Sequence, residues 1–223
     1  SDLIEETVTV KKLYEFFRSS ASYRLRIALN LKNISYEQVS IDFATKEQLS
    51  DDFTNINPSK LVPVLEEDDG WRLSQSLAII EYLDETHLNF PLLPRDDPRA
   101  RGYVRQCALI IACDIHPLNN LRILKYLTGD LDVDEDAKTA WISHWISEGF
   151  TALETLINEQ QQALQFCFGD TPTLADCCLI PQVFNARRFN VNLSAFPQIN
   201  RINSACLELD EFKRAHPDMV SQT

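Results

Sequence analysis

Phe17-Arg18-Ser19-Ser20-Ala21-Ser22-Tyr23-Arg24-Leu25-Arg26-Ile27-Ala28-Leu29 changes rhythm partway along. Just upstream, residues 9–17 carry Val10, Leu13, Tyr14, Phe16 and Phe17 and read as a strand. Downstream, Leu25, Ile27, Ala28, Leu29 and Leu31 read as a helix. Ser19 or Ser20 can cap it, because a serine oxygen accepts one of the N–H groups that a first helical turn leaves unpaired. A strand that runs straight into a capped helix opens a βαβ unit, in which the helix is the crossover between parallel strands.

The rest of the first half extends that unit. Residues 36–41 alternate as a second strand, and a short helical stretch follows around residues 46–53. Asn57-Pro58 turns the chain into a strand at residues 61–65. Asp68-Asp69-Gly70 is a hairpin signal into Trp71-Arg72-Leu73. Ser76 is placed to cap a helix over residues 77–85, with Leu77, Ile80 and Leu83 at helical spacing. The order, βαβ followed by ββα with one intervening helical stretch, predicts an α+β domain with a mixed sheet of thioredoxin-like type.

Residues 89–97 hold Pro91 and Pro94 and read as a linker; Asp97-Pro98 then starts a helix as cap and first-turn proline. Everything beyond is helical in pattern. A helix over residues 99–127 should kink or split at Pro117. Residues 141–164 are amphipathic, and residues 173–187 are apolar all round, which predicts a central buried helix. Thr173-Leu174-Ala175-Asp176 has capping-box form and gives Asp176 a folding role. Residues 199–212 make one more helix. The expected domains are therefore 8–88, a linker at 89–97, and an all-α bundle over 98–223.

The 223 residues carry a net charge of −12, with 44% hydrophobic and 24% charged residues. That is globular composition. There is no Lys/Arg run of the kind that displaces counterions from nucleic acid, so no nucleic-acid partner is expected. An acidic protein that takes an anionic substrate must gather a few arginines locally. The six cysteines show no CxxC and no paired ligand spacing, so they read as reduced core residues and no metal is expected. That usage suits a reducing cytoplasm. No uninterrupted apolar run reaches the roughly 18 residues of a membrane span, and the polar Ser1 to Thr7 do not read as a signal peptide.

From residue 9 onward the chain resembles the zeta-class glutathione transferases, the maleylacetoacetate isomerases. The likeness rests on the 17–29 stretch, Asn57-Pro58, Leu61-Val62-Pro63 and Gln75-Ser76-Leu77-Ala78-Ile79-Ile80-Glu81-Tyr82-Leu83. It continues in Asp114-Ile115-His116-Pro117-Leu118-Asn119-Asn120, in residues 169–176 and in Asn185-Ala186-Arg187-Arg188-Phe189. Asp114-Ile115-His116-Pro117 and Ala186-Arg187-Arg188-Phe189 also resemble bacterial maleylpyruvate isomerases. The resemblance implies the glutathione transferase fold, glutathione as cofactor, a homodimer and a small dicarboxylate enedione as substrate.

It also implies roles. Gln75 and Ser76, at a helix N-terminus that favours an anion, would hold the γ-glutamyl carboxylate. Val62 and Pro63, at the family's cis-proline position, would face the cysteinyl part. Gln48 and Lys60 are candidates for the glycine end. Ser19 or Ser20 would donate to the thiolate, with Ser19 favoured, since a helix N-terminus lowers a thiol's pKa. Where the family typically has cysteine, this chain has Ala21, so the site has no cysteine chemistry there. His116 or Asn120 would reach glutathione. Arg18, Arg122 and Arg188 match the relatives' substrate pocket; an arginine fork suits a carboxylate.

The implied reaction is thiolate addition to a cis double bond, rotation and elimination, turning maleylacetoacetate into fumarylacetoacetate in tyrosine and phenylalanine breakdown. The alternatives are a maleylpyruvate isomerase, a general transferase that consumes glutathione on small electrophiles, and a non-catalytic glutathione-binding protein.

Overall fold

The computed structural model describes residues 10–160 and 164–220. Two compact units emerge: the residues up to His87 together with the tail from Ala215, and Leu88–Arg214.

The first unit contains β1 (Lys11–Glu15), α1 (Ser20–Leu31), β2 (Tyr36–Ser40), α2 (Asp51–Ile56), β3 (Val64–Glu66), β4 (Arg72–Ser74) and α3 (Ser76–Thr86). The strand order is β2-β1-β3-β4. The crossover through α1 makes β1 and β2 parallel, with Leu13 opposite Gln38. β3 runs antiparallel to β1, Tyr14 opposite Val64, and β4 antiparallel to β3, Val64 opposite Ser74. This is the mixed, thioredoxin-like sheet that the sequence predicts.

Leu13 and Leu65 from the sheet, Leu25, Ile27 and Leu29 from α1, and Ile79 and Leu83 from α3 have no exposed surface. Each such side chain contributes about 2 kcal/mol of transfer free energy. α1 is covered on all sides: every residue from Ser22 to Leu29 is buried, Arg24 and Arg26 included. The tail closes on this helix. Arg26 Nε donates to the Ala215 carbonyl at 3.0 Å, and the rings of Tyr23 and His216 meet edge to face at 6.0 Å.

The second unit is helical: α4 (Pro98–Leu109), α5 (Leu121–Gly129), α6 (Glu135–Glu159), α7 (Leu174–Arg188), α8 (Pro197–Leu207) and α9 (Asp210–Ala215), the last running into the tail. Asp97 caps α4, accepting from the Arg99 and Ala100 N–H groups. The stretch expected as one kinked helix breaks into α4, a π-helical turn at Ile110–Ile115, a 3-10 turn at His116–Asn119 and α5, as a proline without an N–H requires. Pro98–Gly129 holds an 18-residue window apolar enough to cross a membrane, but the span is not one regular helix. α6 starts at Glu135 instead of 141, on an Asp134 cap that accepts from the Ala137 N–H at 2.8 Å, and it ends at Glu159, short of 164. The helix expected over 199–212 is two, α8 and α9.

α7 carries the capping box. Thr173 Oγ1 accepts from the Ala175 N–H, and the Asp176 carboxylate accepts from the Thr173 N–H at 2.8 Å. The other Asp176 oxygen accepts from the Cys167 N–H at 3.0 Å. Against the π-helical turn, α6 presents Gly149: a methyl group there would overlap the Ile115 side chain.

Candidate functional site

The register brings four of the expected segments to one end of the first unit's sheet. β1 and β2 both finish there, so Ser19 follows β1 and Gln48 lies beyond β2. The start of β3 pairs with β1 and with the last residue of β4 through Val64. Val62-Pro63, just before β3, and Gln75-Ser76, just after β4, therefore flank the same end.

Ser19 is the N-cap of α1. Its Oγ accepts from the Ser22 N–H at 3.2 Å, which leaves its own hydrogen to donate, and its N–H donates to the Phe16 carbonyl at 2.9 Å. Ser20 is the first residue inside the helix. Arg18 beside them is exposed, its guanidinium 5.1 Å from the Phe17 ring centre.

The Val62-Pro63 peptide is cis. The loop before it is held by buried Asn57, whose Nδ2 donates to the Leu61 carbonyl at 2.8 Å while its Oδ1 accepts from the Ser59 N–H at 3.1 Å. Pro63 is buried and Val62 half-buried. Lys60 is exposed, at φ 59°. Gln48 is buried, and its Oε1 has no hydrogen-bond partner among the described residues. A buried acceptor left so costs free energy unless something donates to it.

Ser76 is not the cap of α3. That place belongs to Gln75, at φ 73°, where a non-glycine residue is strained, and Gln75 makes no side-chain cap bond. The first N–H groups of α3 thus lack a capping side chain, the arrangement that suits an anion. Ser76 is buried, and its Oγ accepts from Arg24 Nη1 at 2.8 Å. The sequence signals Arg24 only through three arginines within nine residues at a helical start.

In the second unit, His116 opens the 3-10 turn, half-buried. Asn120 caps α5, its Oδ1 accepting from the Arg122 N–H at 3.1 Å, which leaves its amide N–H groups to donate. The Arg122 side chain is exposed. Arg188, the last residue of α7, is exposed, its guanidinium 5.9 and 5.8 Å from the rings of Phe184 and Phe189.

The description of the glutathione S-transferase N-terminal domain matches residues 9–85, and that of the C-terminal domain residues 139–211. The chain belongs to the glutathione S-transferase family. Among relatives in this family, a maleylpyruvate isomerase of a Ralstonia species is 51% identical over 92% of this chain and 96% of its own. A maleylacetoacetate isomerase of Rhizobium meliloti is 45% identical, over 92% and 95%. Among solved glutathione S-transferases, the holo structure of a bacterial zeta-class maleylpyruvate isomerase superposes with a TM-score of 0.92 at 48% identity, covering 95% of this chain and 99% of the other. A maleylacetoacetate isomerase of Methylobacterium extorquens, solved with bound malonate and glutathione, gives 0.90 at 39% identity, over 94% and 98%.

Proposed function

We propose that this chain is a glutathione-dependent cis–trans isomerase of maleylacetoacetate. The observation that carries the reading is the convergence of Ser19, the cis Val62-Pro63 peptide, Gln48 and Gln75-Ser76 at one end of one sheet. The donors fit an acidic tripeptide. The uncapped start of α3 and the Ser76 hydroxyl take the γ-glutamyl carboxylate. The Val62 backbone faces the cysteinyl part, and Gln48 and Lys60 serve the glycine end. Glutathione, when bound, supplies the thiolate that adds to the cis double bond and leaves once the bond has turned.

Ser19 keeps that sulfur ionised by donating its hydroxyl hydrogen, while the α1 N-terminus adds its dipole. Ser20 is the neighbouring hydroxyl. Arg18, Arg122 and Arg188 serve as carboxylate ligands for a dianionic substrate, with fixed positive charge to meet the negative charge that develops during the reaction. His116 and Asn120 are further donors toward glutathione. The reading includes a homodimer, and a cytoplasmic setting in keeping with six cysteines outside any disulfide.

One observation favours a second substrate: the Ralstonia relative at 51% identity is a maleylpyruvate isomerase. Both compounds are therefore assayed side by side, with and without glutathione, while free thiol is followed. Glutathione-dependent turnover at constant thiol supports an isomerase, and the faster substrate names it. Steady thiol loss points to a conjugating transferase, and binding without turnover to a non-catalytic protein.

A further inference from the structure

Arg24 is 2% exposed. Its Nη1 donates to Ser76 Oγ at 2.8 Å, and its buried Nε and Nη2 have no hydrogen-bond partner among the described residues. No ion pair to it is found among them either, whereas its neighbour Arg26 on the same helix is paired with Glu15. Burying a guanidinium without a carboxylate is expensive, far more so than burying a neutral side chain. Such a charge makes physical sense where an anion arrives from outside to compensate it.

The hydrogen bond fixes more than position. A serine hydroxyl carries one hydrogen, and its rotor normally settles wherever an acceptor lies. With the Arg24 guanidinium occupying a lone pair of Ser76 Oγ, that hydrogen is turned away from Arg24. The bond is charge-assisted, which polarises the hydroxyl and strengthens it as a donor. Ser76 is also the first residue of α3, an 11-residue helix whose N-cap side chain makes no cap bond.

We propose that Arg24 is a positioning residue for the anion site at the start of α3: it turns the Ser76 hydroxyl outward as a donor and supplies the buried positive charge behind it. This deepens the reading of Ser76 as a ligand of the γ-glutamyl carboxylate and rests on that reading. Arg24 acts through Ser76, and its effect is confined to ligands that carry that carboxylate.

The test is a ratio of two dissociation constants, measured by calorimetry for glutathione and for 4-aminobutanoyl-cysteinylglycine, which is glutathione without that carboxylate. The ratio is blind to the fraction of folded protein, because a partly unfolded variant loses both ligands equally. Wild type should favour glutathione by about 100-fold, the worth of a charge-assisted anion contact. Arg24→Gln should lower the preference about tenfold, and Arg24→Lys should restore most of it. Arg24→Met, which keeps the length of the buried stem, is the second variant, and either of the uncharged ones decides. A preference unchanged from wild type in whichever folds overturns the role of Arg24. Equal binding of both peptides by wild type overturns the reading of Ser76 itself.

Discussion

Arg26 and Glu15 form an ion pair in which neither side chain has any exposed surface. The same guanidinium donates to the Phe17 carbonyl at 3.0 Å and to the Ala215 carbonyl. One residue thus ties the end of β1, the turn leading to Ser19 and the tail. Burial pushes the Glu15 carboxyl above its usual value, and Arg26 opposes that rise. Arg26→Met takes the donor from a buried carboxylate and from the Phe17 and Ala215 carbonyls, and should cost about 4 kcal/mol in urea unfolding. A loss below about 1 kcal/mol would show the site to be hydrated instead of sealed.

Ser19 has two separable duties. Ser19→Ala removes both the cap and the hydroxyl, so stability falls by about 1 kcal/mol and activity with it. Ser19→Asp keeps a good cap but has no hydrogen to give and adds a negative charge beside a thiolate. It should stay within about 0.5 kcal/mol of wild type in stability while kcat/KM drops by at least about 100-fold. Activity kept within about threefold would pass the role to Ser20.

Arg188 stands at the exposed end of α7 beside two phenylalanine rings. If its fork binds a substrate carboxylate, Arg188→Ala lowers kcat/KM for the dicarboxylate at least tenfold. A change of only about twofold, roughly 0.4 kcal/mol, removes it from the substrate ligands.

Gly149 marks the closest approach of α6 to the π-helical turn. Gly149→Ala drives a methyl group into the Ile115 side chain, which is β-branched and slow to yield. Overpacking of this kind costs about 2 kcal/mol. A thermal shift of less than about 1 °C would show that α6 moves aside freely.

Alkaline pH should weaken the fold through its thiols. Cys107, Cys167 and Cys206 have no exposed surface. Burial pushes Cys107 up to about 11, Cys167 well above the ordinary thiol range, and Cys206 upward as well. An unfolded thiol ionises near 8.5. Below about pH 8.5 these groups are protonated in both states, and their contribution is whole. Above it only the unfolded chain sheds protons, so stability falls by up to about 1.4 kcal/mol per pH unit for each thiol. The share of Cys107 is lost as pH approaches about 11. Urea midpoints at pH 8 and 10, under reductant, should differ by several kcal/mol equivalents less once the three cysteines are replaced by alanine. An identical slope in that variant rules the thiols out.

What the sequence made legible follows the strength of local signals. The strand-to-helix change at Ser19, the hairpin at Asp68-Asp69-Gly70 and the box at Thr173 and Asp176 all appear where expected. Ser76 looks like a cap in the sequence because it is a serine ahead of an apolar run. The capping position falls on Gln75, in a backbone conformation that its residue type does not announce. The π-helical turn was hidden because Cys107, Ala108, Ile111 and Ile115 keep spacings an α-helix would also give. Asp134, Glu135 and Asp136 carried cap and dipole signals for α6 that its apolar stripe, starting later, overshadowed. Arg24 carries no other sequence signal because α1 is buried all round and has no polar face to be an exception to.

The carbonyl that Arg26 Nε reaches belongs to Ala215. During synthesis the first unit's strands and helices leave the ribosome early, yet this acceptor is made only after all of Leu88–Arg214. Until then the Arg26 guanidinium has Glu15 and the Phe17 carbonyl but lacks its third acceptor. The first unit is begun first and completed last, so a nascent chain stalled before residue 215 carries an unfinished first unit however well its second one has folded.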